Sequence, residues 1–316
     1  MSVYTVVDAN DLAEFLQHYD VGTLESFEGI SAGIENTNYF VNTNHNGTIK
    51  RFVLTIFEHH SFDELPYFLN IMAFMAEHQI PTAHPVATKN TTYLQPLKNK
   101  PAALVARLSG SGVEEPTLTQ CEVMGQKLAQ FHLAGAEFSE HRKNDRDLSW
   151  MKNTFELIQS KLPADEKSLV EAELAFQDQI DWQPLPAGVI HADLFCDNAL
   201  FNGDELSGII DLYYACNSTL LYDLAVMVND WCRIHSDTVS AIAFDSQKIE
   251  GMLKAYQSVR ELTSQELETW PAALRLAALR FFLSRLKDKH IPREGEMTQI
   301  KDPNVFKTIL KIHQKR

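Results

Sequence analysis

Residues 191–198 and 208–211 combine side chains that could support phosphoryl transfer to a hydroxyl group. Asp193 could accept a hydrogen bond from that hydroxyl and orient it for attack. Asn198 and Asp211 supply an amide oxygen and a carboxylate, which are groups that bind Mg²⁺. Bound Mg²⁺ would neutralise the phosphates of a nucleotide. The types and order of these residues therefore predict a metal-dependent phosphotransfer site.

The chain between the two predicted metal ligands has the pattern of a β-hairpin. Asn202-Gly203 is a strong turn signal, and short apolar runs lie on both sides of it. In an antiparallel hairpin the start of the first strand lies beside the end of the second. Asn198 and Asp211 flank these strands, so we expect both ligands at one end of the hairpin.

Each of these residues alone also fits a structural role. An isolated Asp or Asn before a turn commonly caps or forms that turn. His191, beside an apolar run, fits a buried and hydrogen-bonded side chain. The functional prediction therefore depends on the ordered set, in which His, Asp and Asn precede a hairpin that ends at a further Asp.

This ordered set resembles the catalytic and metal-binding loops of the aminoglycoside phosphotransferase and choline kinase superfamily, whose members are relatives of the protein kinases. Residues 221–225 also look like this superfamily, which carries an Asp in the helix after the metal loop; here that residue is Asp223. Three further segments resemble the homoserine kinases built on this fold: 33–41, 53–58 and 228–232. The resemblance covers nearly the whole chain.

The resemblance implies a homoserine kinase, which phosphorylates the side-chain hydroxyl of L-homoserine with ATP to give O-phospho-L-homoserine in threonine biosynthesis. Asp193 is then the catalytic residue, and His191 braces its loop. Asn198 and Asp211 bind Mg²⁺, while Asp223 accepts backbone hydrogen bonds beneath the loop. Two alternatives stay open: a kinase of another small alcohol (an aminoglycoside, choline or a sugar), or a non-catalytic nucleotide-binding scaffold.

The resemblance also suggests where the two substrates bind. ATP is expected in a cleft between two lobes, and its candidate contacts are Ser31, Asn36, Asn38, Thr55, Arg107 and Leu108. Homoserine is a small zwitterion, so its pocket needs an acid for the ammonium group and an Arg or an N–H cluster for the carboxylate. The candidate contacts of homoserine are Tyr213, Tyr214, Asn229, Asp230, Arg233 and Arg285.

The predicted third strand departs from the usual kinase pattern at position 55. Kinases of this fold usually carry a Lys there, which contacts the α/β-phosphates and pairs with a helix Glu. Thr55 occupies this position, and Leu-Thr is the pattern of the homoserine branch. Because of this change, the sequence does not identify the positively charged group that contacts the phosphates. The change also removes the usual lysine partner of a helix acid such as Glu64.

Other nucleotide and hydrolase motifs are absent or stand in the wrong context. The sequence contains neither G-x-x-x-x-G-K-[ST] nor G-x-G-x-x-G. Residues 29–33 match G-x-S-x-G, but that hydrolase turn must lead from a strand into a helix, whereas 36–41 has a strand pattern. We therefore interpret 31–38 as a loop between two strands that lies over the phosphates.

The hydrophobic pattern and the resemblance together predict an α+β, two-lobed protein-kinase-like fold. Residues 1–108 are expected to form a nucleotide-binding lobe with a small antiparallel sheet, and 109–316 a mostly helical lobe with the catalytic and metal loops and the substrate pocket. The flexible joint is 109–112. Predicted strands are 24–30, 38–41, 51–57, 91–95 and 102–107. Predicted helices are 8–19, 62–78, 118–132, 149–162, 165–179, 220–234, 246–259, 266–287 and 304–315.

The composition of the chain limits the kinds of partner that it can bind and predicts its cellular compartment. The 316 residues include 42 acidic and 28 basic side chains, a formal net charge of −14, which argues against binding to nucleic acid or to an anionic membrane. The four cysteines lack metal-ligand spacing, so we expect free thiols and no zinc. We find neither a signal peptide nor a membrane span, which predicts a cytoplasmic protein. Oligomeric state does not follow from the sequence.

Overall fold

The computed structural model describes residues 4–30, 36–234, 238–291 and 301–315. The chain divides into two compact units, 1–110 with 208–210 and 111–207 with 211–316. The predicted boundary at 108/109 lies two residues before this division. Residues 208–210 group with the first unit, where the Ile209 N–H donates a hydrogen bond of 2.6 Å to the Pro81 carbonyl.

The first unit is built on a five-stranded antiparallel sheet, in the order β1-β2-β3-β5-β4. Asn46 and Gly47, both with positive φ, form the tight turn between the second and third strands. The five predicted strands are thus present with shifted ends, and the predicted antiparallel sheet is confirmed. The strands are β1 (Thr23–Gly29), β2 (Thr37–His45), β3 (Thr48–Ile56), β4 (Leu94–Leu97) and β5 (Lys100–Ala106).

Two helices complete this unit. Helix α1 (Ala9–Leu16) begins at a capping box formed by Asp8 and Asp11. Its apolar face joins one face of the sheet in a buried cluster that includes Leu54. Helix α2 (Leu65–Glu77) is buried along most of its length. Both helices are shorter than the sequence predicted.

The second unit is mainly helical, as the sequence predicted. Predicted helix 220–234 ends at Trp231, because the chain then forms a short strand with 243–244. Its helices are α3 (Leu118–Gly135), α4 (Leu148–Ile158), α5 (Ala164–Gln177), α6 (Leu220–Trp231), α7 (Ser246–Gln257), α8 (Ser264–His290) and α9 (Asn304–Gln314). Within the described part of the chain, no helix is both long and apolar enough to cross a membrane.

Four strands of the second unit were not predicted, because each has only two to four residues and lacks a clear alternating pattern. They are β6 (Ala187–Ile190), β9 (Cys216–Thr219), β10 (Arg233–Ile234) and β11 (Ala243–Phe244). The predicted hairpin is present as β7 (Ala199–Asn202) and β8 (Glu205–Ile209). Its turn lies one residue later than expected, at Gly203-Asp204, with Gly203 at φ 62°.

Helices α3 and α7 pack closely at Gly125. A Cβ atom at this position would lie 2.3 Å from the backbone oxygen of Met252. A backbone atom inside a helix cannot move aside as a side chain can. At Gly251, on the facing helix, an added Cβ would meet only side-chain atoms of Leu118 and Glu122, the nearest at 2.8 Å.

We expect Gly125→Ala to destabilise the protein, while Gly251→Ala, the matched control, is at least as stable as wild type. Both changes gain about 1 kcal/mol of helix propensity. Only the first forces two helices apart, at a cost of about 1–3 kcal/mol or more. Thermal unfolding of both variants measures the difference. Equal midpoints for the two variants would contradict the packing described here.

Candidate active site

The segment between β6 and β7, residues 191–198, forms a loop that we call the catalytic loop. Its backbone turns sharply at Ala192, a non-glycine residue with φ 66°. Leu194 and Phe195 are buried, with 1% and 8% exposure. A positive φ costs free energy for a residue with a Cβ, so the surrounding structure must hold this turn in place.

The Asp223 carboxylate, on α6, holds the first part of this loop. It accepts hydrogen bonds of 2.8 Å from the backbone N–H groups of His191 and Ala192. A third contact of 3.1 Å joins it to His132 Nε2, from α3. Burial alone would raise the pKa of Asp223, but the hydrogen bond and charge of His132, with those of His191, hold it below its ordinary value.

The last turn of α6 holds the rest of the loop. Asp230 Oδ2 accepts a hydrogen bond of 2.9 Å from the Cys196 N–H, and Oδ1 accepts one of 2.6 Å from Arg233. The Trp231 indole N–H donates to the Leu194 carbonyl at 3.0 Å. Burial raises the pKa of Asp230, but Arg233 and the Cys196 N–H outweigh it, so the pKa is lowered. One helix therefore fixes both ends of the catalytic loop.

Asp193 stands at the centre of the loop with its side chain 17% exposed. Its backbone N–H donates to His191 Nδ1 at 3.3 Å, and its carbonyl accepts a bond of 2.8 Å from the Asn198 side-chain amide. The predicted loop brace His191 is fully buried. The guanidinium of Arg280, on α8, lies 3.7 Å from the Asp193 carboxylate.

Asn198 and Asp211 provide oxygen donors that fit a hard divalent cation. The Asn198 N–H₂ group donates a hydrogen bond to the Asp193 carbonyl, and its amide oxygen is the kind of atom that can bind such a cation. Asp211 follows β8 in a left-handed conformation, with φ 63° and ψ 50°. Two protein ligands, completed by phosphate and water oxygens, are typical of Mg²⁺ bound with a nucleotide.

No group of three or more His, Cys, Asp or Glu side chains among the described residues could hold a metal ion. The four cysteines are buried free thiols.

The predicted nucleotide contacts lie in the first unit, apart from Ser31, which falls outside the described residues. The Asn36 side-chain oxygen accepts from the Glu58 N–H at 3.4 Å. Thr55 donates a hydrogen bond of 2.8 Å to Asn38 across β2 and β3. The Arg107 guanidinium lies 3.7 Å from the centre of the Phe40 ring. Leu108 packs against Gly208, where an added Cβ would come within 2.3 Å of it.

The first unit contains a lysine–glutamate ion pair between Lys100 and Glu58. This pair does not involve Glu64, the helix acid named in the sequence analysis. Glu58 accepts hydrogen bonds from Lys100 and from the hydroxyls of Thr5 and Thr37, with the latter two at 2.8 and 2.6 Å. Burial alone would raise the pKa of Glu58, but these bonds lower it. Glu64 instead accepts from the backbone and hydroxyl of Ser61, at 3.0 Å each.

Lys100 does not replace the missing strand lysine. Thr37 pairs with Ile56 in the sheet, and successive side chains of a strand point to opposite faces. Thr37, Glu58 and Lys100 therefore lie on the face opposite Thr55. Their contacts tie the segment before α1 to the sheet, which is a structural role.

The predicted substrate contacts differ in how deeply they are buried. Asn229 is fully buried and links α6 to α8 and α9, since it donates to the Leu274 carbonyl at 2.8 Å and accepts from His313 at 2.7 Å. Arg285 donates to the Asp302 carbonyl at 2.9 Å. Burial, with the charge of Arg233, lowers the pKa of Arg285 to about 10.

Two of the other four predicted contacts lie two and three residues after Asp211. Tyr213 and Tyr214 are both partly exposed. The centre of the Tyr214 ring lies 5.4 Å from the Arg280 guanidinium and 5.9 Å from that of Arg146. Asp230 and Arg233 pair with each other, as described for the end of α6.

Sequence reasoning did not select His132 or Arg280. His132 is one buried histidine in a long helix, and no neighbouring motif identifies it. Arg280 lies among the buried and mostly apolar residues of α8. An arginine flanked in sequence by apolar residues was the available signal, because an arginine is rarely buried without a partner.

Comparison with known proteins identifies the family of this chain. Residues 26–262 match the model of the phosphotransferase enzyme family. The homoserine kinase of Methylobacillus flagellatus is 44% identical over 311 residues, covering 98% of this chain and 95% of that protein.

Solved structures show the same fold. An amicoumacin kinase in complex with AMP-PNP and Ca²⁺ matches with a TM-score of 0.72 at 15% identity, covering 98% of this chain and 94% of that one. The choline kinase of Cryptosporidium parvum matches with a TM-score of 0.66 at 11% identity, covering 98% and 95%. At these identities the likeness shows the fold alone, and it confirms the predicted protein-kinase-like architecture.

We expect Asp223→Asn to destabilise the protein by about 2–4 kcal/mol, because the new N–H₂ group would face groups that already donate. Asp197→Asn is the matched control. Asp197 lies in the same loop, but its side chain is 64% exposed and forms an exposed ion pair of 3.4 Å with Lys301. An exposed pair of this kind contributes about 0–1 kcal/mol. Urea unfolding of both variants measures the contrast.

The same variants test the pKa of Asp223. Since folding lowers this pKa, the carboxylate's contribution to stability is present above its unfolded pKa of about 4 and is lost as the pH falls through the folded value. The stability gap between wild type and Asp223→Asn should narrow as the pH falls from about 6 to about 3. A constant gap would show that the carboxylate is not held in its charged form.

Proposed function

This chain belongs to the phosphotransferase enzyme family, and we propose that it transfers the γ-phosphoryl group of ATP to the side-chain hydroxyl of L-homoserine. The product is O-phospho-L-homoserine, an intermediate of threonine biosynthesis. The observation that carries this proposal is the near full-length similarity to a homoserine kinase. The arrangement of the catalytic loop supports the chemistry, and the similarity supports the choice of substrate.

Asp193 is the residue that we propose contacts the substrate hydroxyl. Its backbone is fixed on both sides, by His191 and by Asn198. A carboxylate held in this way can accept the hydroxyl hydrogen bond and aim the oxygen at the γ-phosphorus. Because the transition state of phosphoryl transfer is loose, alignment of the oxygen contributes more than early removal of its proton.

Asn198 and Asp211 would hold Mg²⁺, which when bound offsets the charge of the phosphates. Asn198 would have two tasks, since its amide N–H₂ group positions Asp193 while its oxygen would help to hold the cation. The conformation of Asp211 is costly for a residue with a Cβ, and the strand β8 that precedes it helps to fix its position.

We propose that the nucleotide is bound without the lysine usual in kinases. Asn36, Asn38 and Thr55 would offer neutral hydrogen-bonding groups, and the backbone near Arg107 and Leu108 would contact the adenine. Ser31 remains a predicted contact of the phosphates. The acidic net charge of the chain and its buried free thiols agree with a cytoplasmic enzyme that acts on small molecules.

The test of the proposed function is a coupled ADP-release assay with MgATP across a panel of alcohols. We expect L-homoserine to give the highest kcat/KM, with choline and kanamycin-like aminoglycosides poor or inert. Homoserine lactone, which lacks both the free carboxylate and the hydroxyl, should not react. Activity should disappear with EDTA and return with excess Mg²⁺. A higher kcat/KM for choline or an aminoglycoside would reject the homoserine assignment.

We expect Asp193→Asn to reduce kcat by roughly 10²–10⁴ while ATP binding is retained, the usual scale for a positioned acid or base. The variant keeps the backbone hydrogen bonds of Asp193, so the loop should keep its conformation, while loss of the charge beside the buried Arg280 should lower the stability of the protein. Steady-state kinetics and nucleotide titration separate the two effects. Near-normal turnover would remove Asp193 from the catalytic role.

A further inference from the structure

Arg280 occupies an unusual place for a charged side chain. It lies on α8, whose neighbouring positions are apolar, and only 5% of its side chain is exposed. Its guanidinium packs against the ring of Phe281, 4.0 Å from the ring centre, and lies 5.4 Å from that of Tyr214. Burial of a guanidinium is costly unless opposite charge compensates it.

The charge that faces Arg280 is that of Asp193. Arg280 Nη1 lies 3.7 Å from Asp193 Oδ1, which is longer than the roughly 2.7–3.2 Å of a hydrogen bond between two such atoms. Two other arginines of this unit hydrogen-bond elsewhere, since Arg233 pairs with Asp230 and Arg285 donates to the Asp302 carbonyl. Among these three described arginines, Arg280 is the one whose guanidinium forms an ion-pair contact with the proposed catalytic carboxylate.

We infer that Arg280 binds the carboxylate of the amino-acid substrate and thereby determines specificity. The inference rests on the proposed function, because it requires a substrate that carries a carboxylate as well as a hydroxyl. In this arrangement the substrate hydroxyl contacts Asp193 while its carboxylate contacts Arg280. The planar guanidinium presents its N–H donors in the fork geometry that a carboxylate accepts.

The size of homoserine fits these two contacts. Four single bonds separate its carboxylate carbon from its hydroxyl oxygen, a span of at most roughly 5 Å. A molecule of this length can contact both Asp193 and Arg280, whose facing atoms are 3.7 Å apart.

Charge gives a second reason for this assignment. A substrate carboxylate brought next to Asp193 would be repelled, and a cation beside both groups offsets that repulsion. Without Arg280, the site would favour substrates that lack a carboxylate. Arg280 thus makes the site selective for an amino acid over an amino alcohol, which has the hydroxyl but not the carboxylate.

The experiment compares L-homoserine with 3-aminopropan-1-ol, which is homoserine without its carboxylate. We expect wild type to prefer homoserine. Arg280→Met should lower the ratio of the two kcat/KM values by roughly 10²–10³, the scale for removal of one partner of a buried charge pair. Arg280→Lys, which keeps the charge but loses the fork, should lower it less. The ratio is measured on one preparation, so partial misfolding does not affect it.

Arg275→Lys is the matched control on the same helix. Arg275 is also a largely buried arginine, but it pairs with Glu173 at 2.7 Å and lies over the Phe176 ring. Its substitution should leave the substrate ratio unchanged.

Three results would decide against the inference or against its premise. An unchanged ratio in both Arg280 variants would overturn the inference and leave Arg280 as a residue that only positions Asp193. A ratio that changes in Arg285→Lys and not in Arg280→Lys would overturn it as well. Wild-type protein that phosphorylates neither compound would instead overturn the proposed function itself.

Discussion

The hydrogen bonds from the catalytic loop to the buried carboxylate of Asp223 are the interaction on which the rest of the site depends. The two amides that donate to it, of His191 and Ala192, belong to the turn with unfavourable backbone conformation. A charged acceptor binds an amide N–H more strongly than a neutral one, and most strongly where water is excluded. The carboxylate thus offsets the cost of a turn that places Asp193 at the loop's centre.

Helix α6 can perform this task because it is buried on all sides. All twelve of its residues are buried, so its position is fixed by packing in every direction. Asp223 and Asp230 lie two turns apart on the helix and therefore face the same side. Their carboxylates hold the beginning and the end of the catalytic loop, which is why a short loop can keep one geometry.

The sequence predicted those features that follow from local pattern. The strands of the first unit and most helix positions were found from their apolar periodicity, and the hairpin from its glycine turn. The short strands β6 and β9 were missed because four residues carry too little pattern. His132 was missed for a different reason: its contact with Asp223 joins residues 91 positions apart, and only the folded chain reveals such a pair.

The charged side chains of the two units make different contacts. Thr55 donates to the neutral Asn38, and the lysine–glutamate pair of this unit lies on the other face of the sheet. In the second unit, by contrast, Arg233 and Arg280 each lie beside an aspartate of the loop or of the helix that supports it. A small acidic substrate group needs a cation close to the reacting hydroxyl, whereas the phosphates can be neutralised by a metal ion. In the proposed function, Arg280 beside Asp193 would supply the positive charge that the amino acid requires.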